Sequence, residues 1–244
     1  MNNELDKSLI KSSLNPAYRM SNYVQTDYHV LAYQCAEDII KEPGTNPMNP
    51  WILIGRKGAG KTHIIQAIGN EILEMKQNAK VLYLTASDFE NLYLDAVKKN
   101  QLHAFKKHCY SLDVLIVDDL QNISSQETLD MLIKVKRNLI KKRKQLIFAT
   151  DSYKIIPAFP EQRLFTNKNC FGCWFDDWSV WDVRQIIDNL SEDMPDKYKD
   201  YLARIMFDDI GALKTILTVI NASSDPDYEA MVKSLTASFL SSRG

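Results

Sequence analysis

The chain has 244 residues, 45% apolar and 25% charged, the composition of a globular protein that can bury one large core or a large and a small one. Its 30 Lys and Arg against 31 Asp and Glu leave a net charge of −1, so no global positive field points to nucleic acid. The four cysteines Cys35, Cys109, Cys170 and Cys173 are mostly scattered, which fits free thiols in a reducing compartment and not a disulfide framework. Cys170 and Cys173 make a CxxC pair, but neither a second pair nor two nearby histidines complete a zinc set. No leading apolar core resembles a signal peptide, and no apolar run approaches the roughly 20 residues that span a bilayer. A soluble, cytoplasmic protein is expected, with nucleoid association if it works on DNA.

Residues 1–13 are polar with scattered Leu5, Leu9 and Ile10, and read as a tail or weak helix. Residues 14–24 mix aromatics with Asn-Pro and predict an ordered irregular segment. Helical spacing over 26–41 stops before Pro43-Gly44, and Asn46-Pro47 and Asn49-Pro50 mark a loop. Strands and helices then alternate. Trp51–Ile54 reads as a strand buried on both faces, followed by a helix from Thr62 to Lys76. Lys80–Leu84 is a second strand; Ser87 is placed to cap a helix from Asp88, and another helix follows around Leu102–His108. Val114–Val117 is a third strand ending at Asp118-Asp119. A helix over 125–142 leads to a fourth strand, Leu146–Ala149, ending at Thr150-Asp151. This alternation implies a parallel sheet with helices on both faces. Beyond about residue 178 the strand signal disappears, and 181–190, 195–207, 210–221 and 228–240 read as short amphipathic helices.

The run Gly55-Arg56-Lys57-Gly58-Ala59-Gly60-Lys61-Thr62 is a full GxxxxGKT motif between a strand and a helix, the context a phosphate-binding loop requires. Its glycines let the backbone N–H groups turn toward phosphate oxygens, and the helix N-terminus adds its dipole. Lys61 would contact the β- and γ-phosphates and Thr62 would ligate Mg²⁺. Asp118, ending a buried strand, is the matching metal-holding carboxylate, and Asp119 the acid that polarises an attacking water. Asp151 reads either as a γ-phosphate sensor or as a turn-starting acid.

These segments together resemble the AAA+ ATPases, and among them the replication-initiator family of DnaA and its shorter relative Hda. The resemblance runs through Leu14-Asn15-Pro16-Ala17-Tyr18 and Asn22-Tyr23-Val24, then Gly60–His63 and Gln66–Asn70, Asn78–Val81, Ser111–Gln121 and Lys144–Asp151, and covers about residues 14–240. It implies a three-layer P-loop NTPase sandwich with a five-stranded parallel sheet at 14–178 and a small all-α lid at 179–244. It implies ATP or ADP with Mg²⁺ as ligands, and adds Tyr18 and Val24 on the adenine side. His63 is expected to pack or cap beside the nucleotide loop and not to act as a base.

Departures from the family pattern limit what this implies. The arginine-finger position falls on Asn167 or Cys170 after an insertion, with Arg163 nearby. The sensor-2 arginine position falls on Gly211. The basic loop that follows the third strand in the family is shortened to Asn122-Ile123-Ser124-Ser125. Missing cations at a transferring phosphoryl group remove stabilisation worth on the order of 10³-fold in rate, so slow hydrolysis is expected. The chain ends after the lid, without room for a duplex-reading helix-turn-helix, so the expected partner is a protein: DnaA itself, the sliding clamp or the replicative helicase. The tail has no Gln for a clamp-binding peptide. A helicase or transposase loader, and a non-hydrolysing nucleotide-binding module, are the competing functions. Lys134, Lys136, Arg137, Lys141, Lys142, Arg143 and Lys144 read as a DNA-phosphate stripe or, more simply, as solvated cations at a helix C-terminus. Trp174, Trp178 and Trp181, at roughly helical spacing, are expected to pack a hinge core.

Overall fold

The computed structural model describes residues 12–26, 29–151, 171–175, 178–207, 209–224 and 227–241. The positions Arg163, Asn167 and Cys170, and most of the N-terminal tail, lie outside the described residues.

Apolar runs become strands where both faces are covered. β1 (Trp51–Ile54), β2 (Val81–Thr85), β3 (Val114–Asp118), β4 (Gln145–Thr150) and β5 (Phe171–Trp174) form one sheet in the order β2-β3-β4-β1-β5. Every pairing is parallel. β1, β3 and β4 are buried at every position, as a sheet with helices on both faces requires. The family resemblance implied the fifth strand without locating it: β5 carries Cys173 and alternates in burial, as an edge strand does.

The helices before and between the strands are α1 (Val30–Lys41), α2 (Lys61–Met75), α3 (Ala86–Lys98), α4 (Leu102–Cys109) and α5 (Gln126–Lys141). α3 begins one residue after β2, so its cap is Thr85, whose hydroxyl accepts from the Asp88 amide at 3.1 Å. Ser87, the expected cap, is already inside the helix. The Ser125 hydroxyl caps α5 in the same way, accepting from Thr128 N at 3.2 Å. A core of Ile52, Leu82, Phe89, Phe105, Leu115, Leu132, Leu139 and Phe148 fills the space between sheet and helices, with Phe89 and Phe105 edge-to-face at 5.7 Å.

Two polar ties hold loops to this body. Gln145, fully buried at the start of β4, accepts from Gly44 N at 2.9 Å and Asn46 Nδ2 at 3.0 Å, and donates to the Met48 carbonyl at 2.8 Å. Gly44 has φ 84°, and a Cβ there would sit 2.1 Å from the Arg143 carbonyl oxygen. Glu90 on α3 accepts from Ser124 N, Ser124 Oγ and Ser125 N at 3.2, 2.8 and 2.9 Å, anchoring the short loop that leads into α5. Burial pushes the Glu90 carboxyl up, but these hydrogen bonds outweigh it and hold the pKa at about 2. At the start of the described chain, Ser12 Oγ accepts from Tyr83 N at 3.0 Å and Ser13 N donates to Tyr83 O at 3.1 Å, along β2.

The chain divides into two compact units. One holds residues up to 23, 30–55 and 61–174; the other holds 24–29, 56–60 and 175–244. Within the second unit, α6 (Val180–Leu190), α7 (Asp196–Ile205), α8 (Ile210–Asn221) and α9 (Tyr228–Ser241) form a small helical body. Its core is Val183, Ile187, Leu202, Met206, Leu213, Leu217 and Val232, with Val24 packed against it. Ser179 and Asp182 make a reciprocal capping box at the start of α6. Arg184 on α6 pairs with Asp188, Asp196 and Asp200.

Two stability predictions follow from these ties. Gly44→Ala should cost about 3 kcal/mol or more in urea unfolding, since a left-handed position and a backbone clash coincide. For Glu90 the folded pKa lies below the ordinary 4.5, so the stability it contributes is present above 4.5 and is lost as pH falls toward about 2. Glu90→Gln should therefore lower stability at neutral pH and flatten the acid limb of a pH–stability curve.

Candidate functional site

The carboxyl ends of parallel strands are where an open α/β sheet binds ligands. Here β1 ends in the glycine-rich loop, β3 ends in Asp118, and β4 lies between them, with Ile54 in register with Thr150 and Val117 with Phe148. The Gly55 amide continues the β1–β4 ladder by donating to Thr150 O at 3.1 Å.

Within the sheet unit, the sequence candidates Lys61, Thr62 and Asp118 come together. Lys61, the first residue of α2, is 5% exposed and donates to the Gly55 carbonyl at 2.5 Å. Thr62 Oγ1 donates to Asp118 Oδ2 at 2.7 Å. Asp118 is 1% exposed and also accepts from Tyr83 OH at 3.1 Å and from Asp119 N at 2.9 Å. Burial lowers the Lys61 pKa against the pull of Asp118, Asp119 and Asp151. Burial raises the Asp118 pKa, helped by Asp119, against the hydrogen bonds it accepts. Two buried groups of opposite charge thus each carry an unmet desolvation cost. A polyphosphate beside Lys61 and a divalent cation between the Thr62 hydroxyl and the Asp118 carboxylate would meet both costs. The hard oxygen donors suit Mg²⁺, and we take the residues to fit that ion.

Asp119 has φ 53° and ψ 47°, left-handed for a non-glycine residue, and opens a 3₁₀ turn over Leu120–Asn122. Gln121 Nε2 donates to Asp119 Oδ1 at 3.1 Å, while its Oε1 accepts from Thr150 Oγ1 at 3.2 Å and Asp151 N at 3.1 Å. Asp151 itself is exposed. Sequence reasoning assigned no role to Tyr83 or Gln121. Tyr83 sits in the apolar run Val81–Leu84 and reads there as core; only the register pairing Tyr83 with Ile116, and Thr85 with Asp118, brings its hydroxyl to the acid.

The N-terminal segment is tied to α2. Asn70 Nδ2 donates to the carbonyls of Asn15 and Tyr18, both at 2.8 Å, and Gln66 Oε1 accepts from Asn15 N at 2.7 Å. His63 Nε2 lies 3.0 Å from Arg19 O and from Asn22 Oδ1, and because the carbonyl can only accept, that nitrogen is the donor. The His63 ring contacts Tyr18 at 5.0 Å and Tyr23 edge-on at 5.2 Å. His63 therefore packs the N-terminal segment onto α2.

Residues 56–60 fall in the second unit. Gly58 and Gly60 have φ of 85° and 95°, a left-handed geometry that glycine adopts without strain and that turns successive amides the same way. Ala59 is buried and its amide donates to Arg56 O at 3.3 Å. Within this unit Trp178 Nε1 donates to the Gly58 carbonyl at 3.3 Å, and His29 stacks on Phe175 at 4.5 Å. Gly211 is exposed in the first turn of α8. The three tryptophans do not share a helix: Trp174 is on β5 and 57% exposed, Trp181 is on α6 and 69% exposed, and only Trp178 packs in a core. The basic cluster also needs correction. Lys136 is 1% exposed, because it faces inward on α5, and Lys144 pairs with Asp113 at 2.6 Å. Lys134, Arg137, Lys141, Lys142 and Arg143 are exposed. Cys173 is buried and accepts from Trp51 Nε1 at 3.2 Å, and among the described residues no group of three or more potential metal-binding side chains occurs.

Burial of the Asp118 charge predicts opposite effects on stability and function. Its folded pKa is raised, so its contribution to stability falls as pH rises from 3.8 through the raised value. Asp118→Asn should raise the melting temperature of the ligand-free protein at neutral pH and abolish any Mg²⁺ dependence of nucleotide binding, both read by thermal shift with and without Mg-ATP.

A family model described as the bacterial DnaA ATPase domain matches residues 14–167. The chain is 34% identical over 148 residues to the chromosomal replication initiator protein DnaA of Acinetobacter baumannii strain AYE, which is 60% of this chain and 32% of that protein. It thus spans about a third of the length of the curated relatives it matches. Domain III of the Thermotoga maritima replication initiation protein DnaA superposes with a TM-score of 0.82 at 22% identity, over 93% of this chain and 99% of that one. AMPPCP-bound DnaA from Aquifex aeolicus superposes at 0.73 and 24% identity, over 87% and 67%. At such identities these two likenesses establish the fold.

Proposed function

The chain belongs to the bacterial DnaA ATPase-domain family, and from that premise we propose that it binds Mg²⁺ with ATP or ADP and serves replication initiation or its regulation through a protein partner, hydrolysing ATP slowly by itself. The observation that carries this reading is the 2.7 Å contact of the Thr62 hydroxyl with the buried Asp118 carboxylate, beside the buried Lys61 ammonium.

In this reading Gly55, Gly58, Ala59 and Gly60 present backbone amides to the phosphates, and Lys61 leaves the Gly55 carbonyl for the β- and γ-phosphoryl oxygens. Thr62 and Asp118 hold the metal, which when bound neutralises charge across the polyphosphate. Asp119 polarises the attacking water and Asp151 lies at the γ-phosphate side. Tyr18 and Val24 flank the base. Residues 14–178 act as the nucleotide-binding base domain and 179–244 as the lid. Support for the ligand comes from the solved Aquifex aeolicus DnaA relative, which carries AMPPCP. Slow turnover rests on the sequence positions of Asn167, Cys170 and Gly211, none of which supplies the cation that stabilises a phosphoryl transition state.

Lys141, Lys142 and Arg143 lie at the C-terminus of α5, where the helix dipole favours positive charge, and Lys134 and Arg137 are solvated on its exposed face, so this reading assigns DNA contact to the partner. In calorimetry with Mg-ATP and Mg-ADP the parent should bind both, and Lys61→Ala should lose at least tenfold in affinity; an athermal parent that also fails equilibrium dialysis removes the reading. Steady-state turnover of the protein alone should stay below one per second. Oligonucleotide affinity should be weak and nearly flat with salt, whereas a loss on the order of 10³-fold between 50 and 200 mM salt would reveal several direct phosphate contacts.

A further inference from the structure

The turn after β3 contains an amide that belongs to neither the phosphate loop nor the metal site. We propose that Gln121 is a positioning residue that couples Asp119 to the end of β4 and so makes the site sensitive to the γ-phosphate. The inference rests on the nucleotide-binding reading above and concerns what that site distinguishes.

Three observations carry it. First, Asp119 is held in a left-handed conformation that a non-glycine residue adopts only at a cost. Such a residue persists only when its surroundings over-determine it, and the bonds at Asp119 include Gln121 Nε2 to Asp119 Oδ1, Asn122 N to Asp119 O at 2.9 Å and Asp119 N to Asp118 Oδ1 at 2.9 Å. Second, both ends of the Gln121 amide are committed. Its oxygen accepts from Thr150 Oγ1 and Asp151 N, and its nitrogen donates to the Asp119 carboxylate. Reversing the amide would set its NH₂ against the Asp151 N–H and its oxygen against a carboxylate, so one orientation alone satisfies all three partners. Third, the tie closes a circuit within one unit. Thr150 accepts from Gly55 N, Gly55 accepts from Lys61, and Asp118 beside Asp119 accepts from Thr62. A displacement of Asp119 toward a terminal phosphoryl group is therefore transmitted to Thr150 and Asp151 through this side chain, while Lys61 reaches the same strand end through the Gly55 backbone.

ADP lacks the group that would engage Asp119 and Asp151, so loss of Gln121 should act on ATP and leave ADP nearly untouched. Gln121→Ala should keep ADP affinity within about twofold, reduce the ATP-over-ADP preference about tenfold, and slow single-turnover hydrolysis with protein in excess by a similar factor. Gln121→Glu keeps the acceptor toward Thr150 and Asp151 but sets a second carboxylate against Asp119. Its ATP preference should be poor at pH 8 and recover toward pH 5, as the introduced carboxyl gains a proton and can donate as the amide did. The parent should show no such recovery. Thr150→Val, which removes one donor and preserves volume, should be intermediate and tests the circuit should Gln121→Ala fold poorly. A parent-like ATP/ADP ratio and single-turnover rate in both Gln121→Ala and Thr150→Val overturns the proposal, as does equal loss of both nucleotides with a lowered melting temperature, the mark of a merely structural amide. A parent that binds neither nucleotide overturns the functional reading itself and takes this inference with it.

Discussion

The contact between the Thr62 hydroxyl and the Asp118 carboxylate is the constraint on which the rest of the sheet unit depends. It joins the first turn of α2, the helix that follows β1, to the end of β3, which β4 separates from β1 in the sheet. The contact forms only if β3, β4 and β1 are parallel, in register and ended at the same level. The all-apolar strands are what permit that: with both faces buried, a slip of one residue would drive Asp118 or Gln145 out of its hydrogen bonds and into apolar surroundings.

Burying Lys61 and Asp118 is expensive, and the ligand-free protein does not recover that cost from the pair alone. Their pKa values move in the directions that weaken each charge, which is what isolated desolvation does. Polar neighbours soften the cost: Tyr83, Thr62 and the Asp119 amide serve Asp118, and the Gly55 carbonyl serves Lys61. A site kept in this condition has charge to offer an incoming polyanion and its metal. Asp119, in a strained backbone conformation one residue along, belongs to the same economy, since strain that packing could relieve is maintained by its neighbours.

The family relationship and this geometry meet at different depths. The match over residues 14–167 covers the N-terminal segment, the phosphate loop and the acid-tipped strands. In the loop after β3, Glu90 accepts from three donors of Ser124 and Ser125, so a carboxylate pins the approach to α5.

Much of this was legible in the sequence. The GxxxxGKT run, the two acids ending a buried strand and the alternation of apolar strands with amphipathic helices are local signals, because each depends on residues adjacent in the chain. Helix limits in the second unit were read to within two residues for the same reason. Tertiary structure decided whatever depends on pairing between distant segments. β5, four residues with an alternating face, has no signal strong enough to stand out until β1 offers it an edge. Thr85 in place of Ser87 as the α3 cap follows from where β2 stops. Lys136 sits inside a helix that reads as basic and solvated, and Trp174, Trp178 and Trp181 part company because a strand, a loop and a helix divide their apparent spacing. Tyr83 and Gln121 look like a core aromatic and a turn residue in the chain, and acquire their partners only through strand register and a backbone turn. Periodicity records which face of an element is apolar; it carries nothing about which distant polar atom that element will meet.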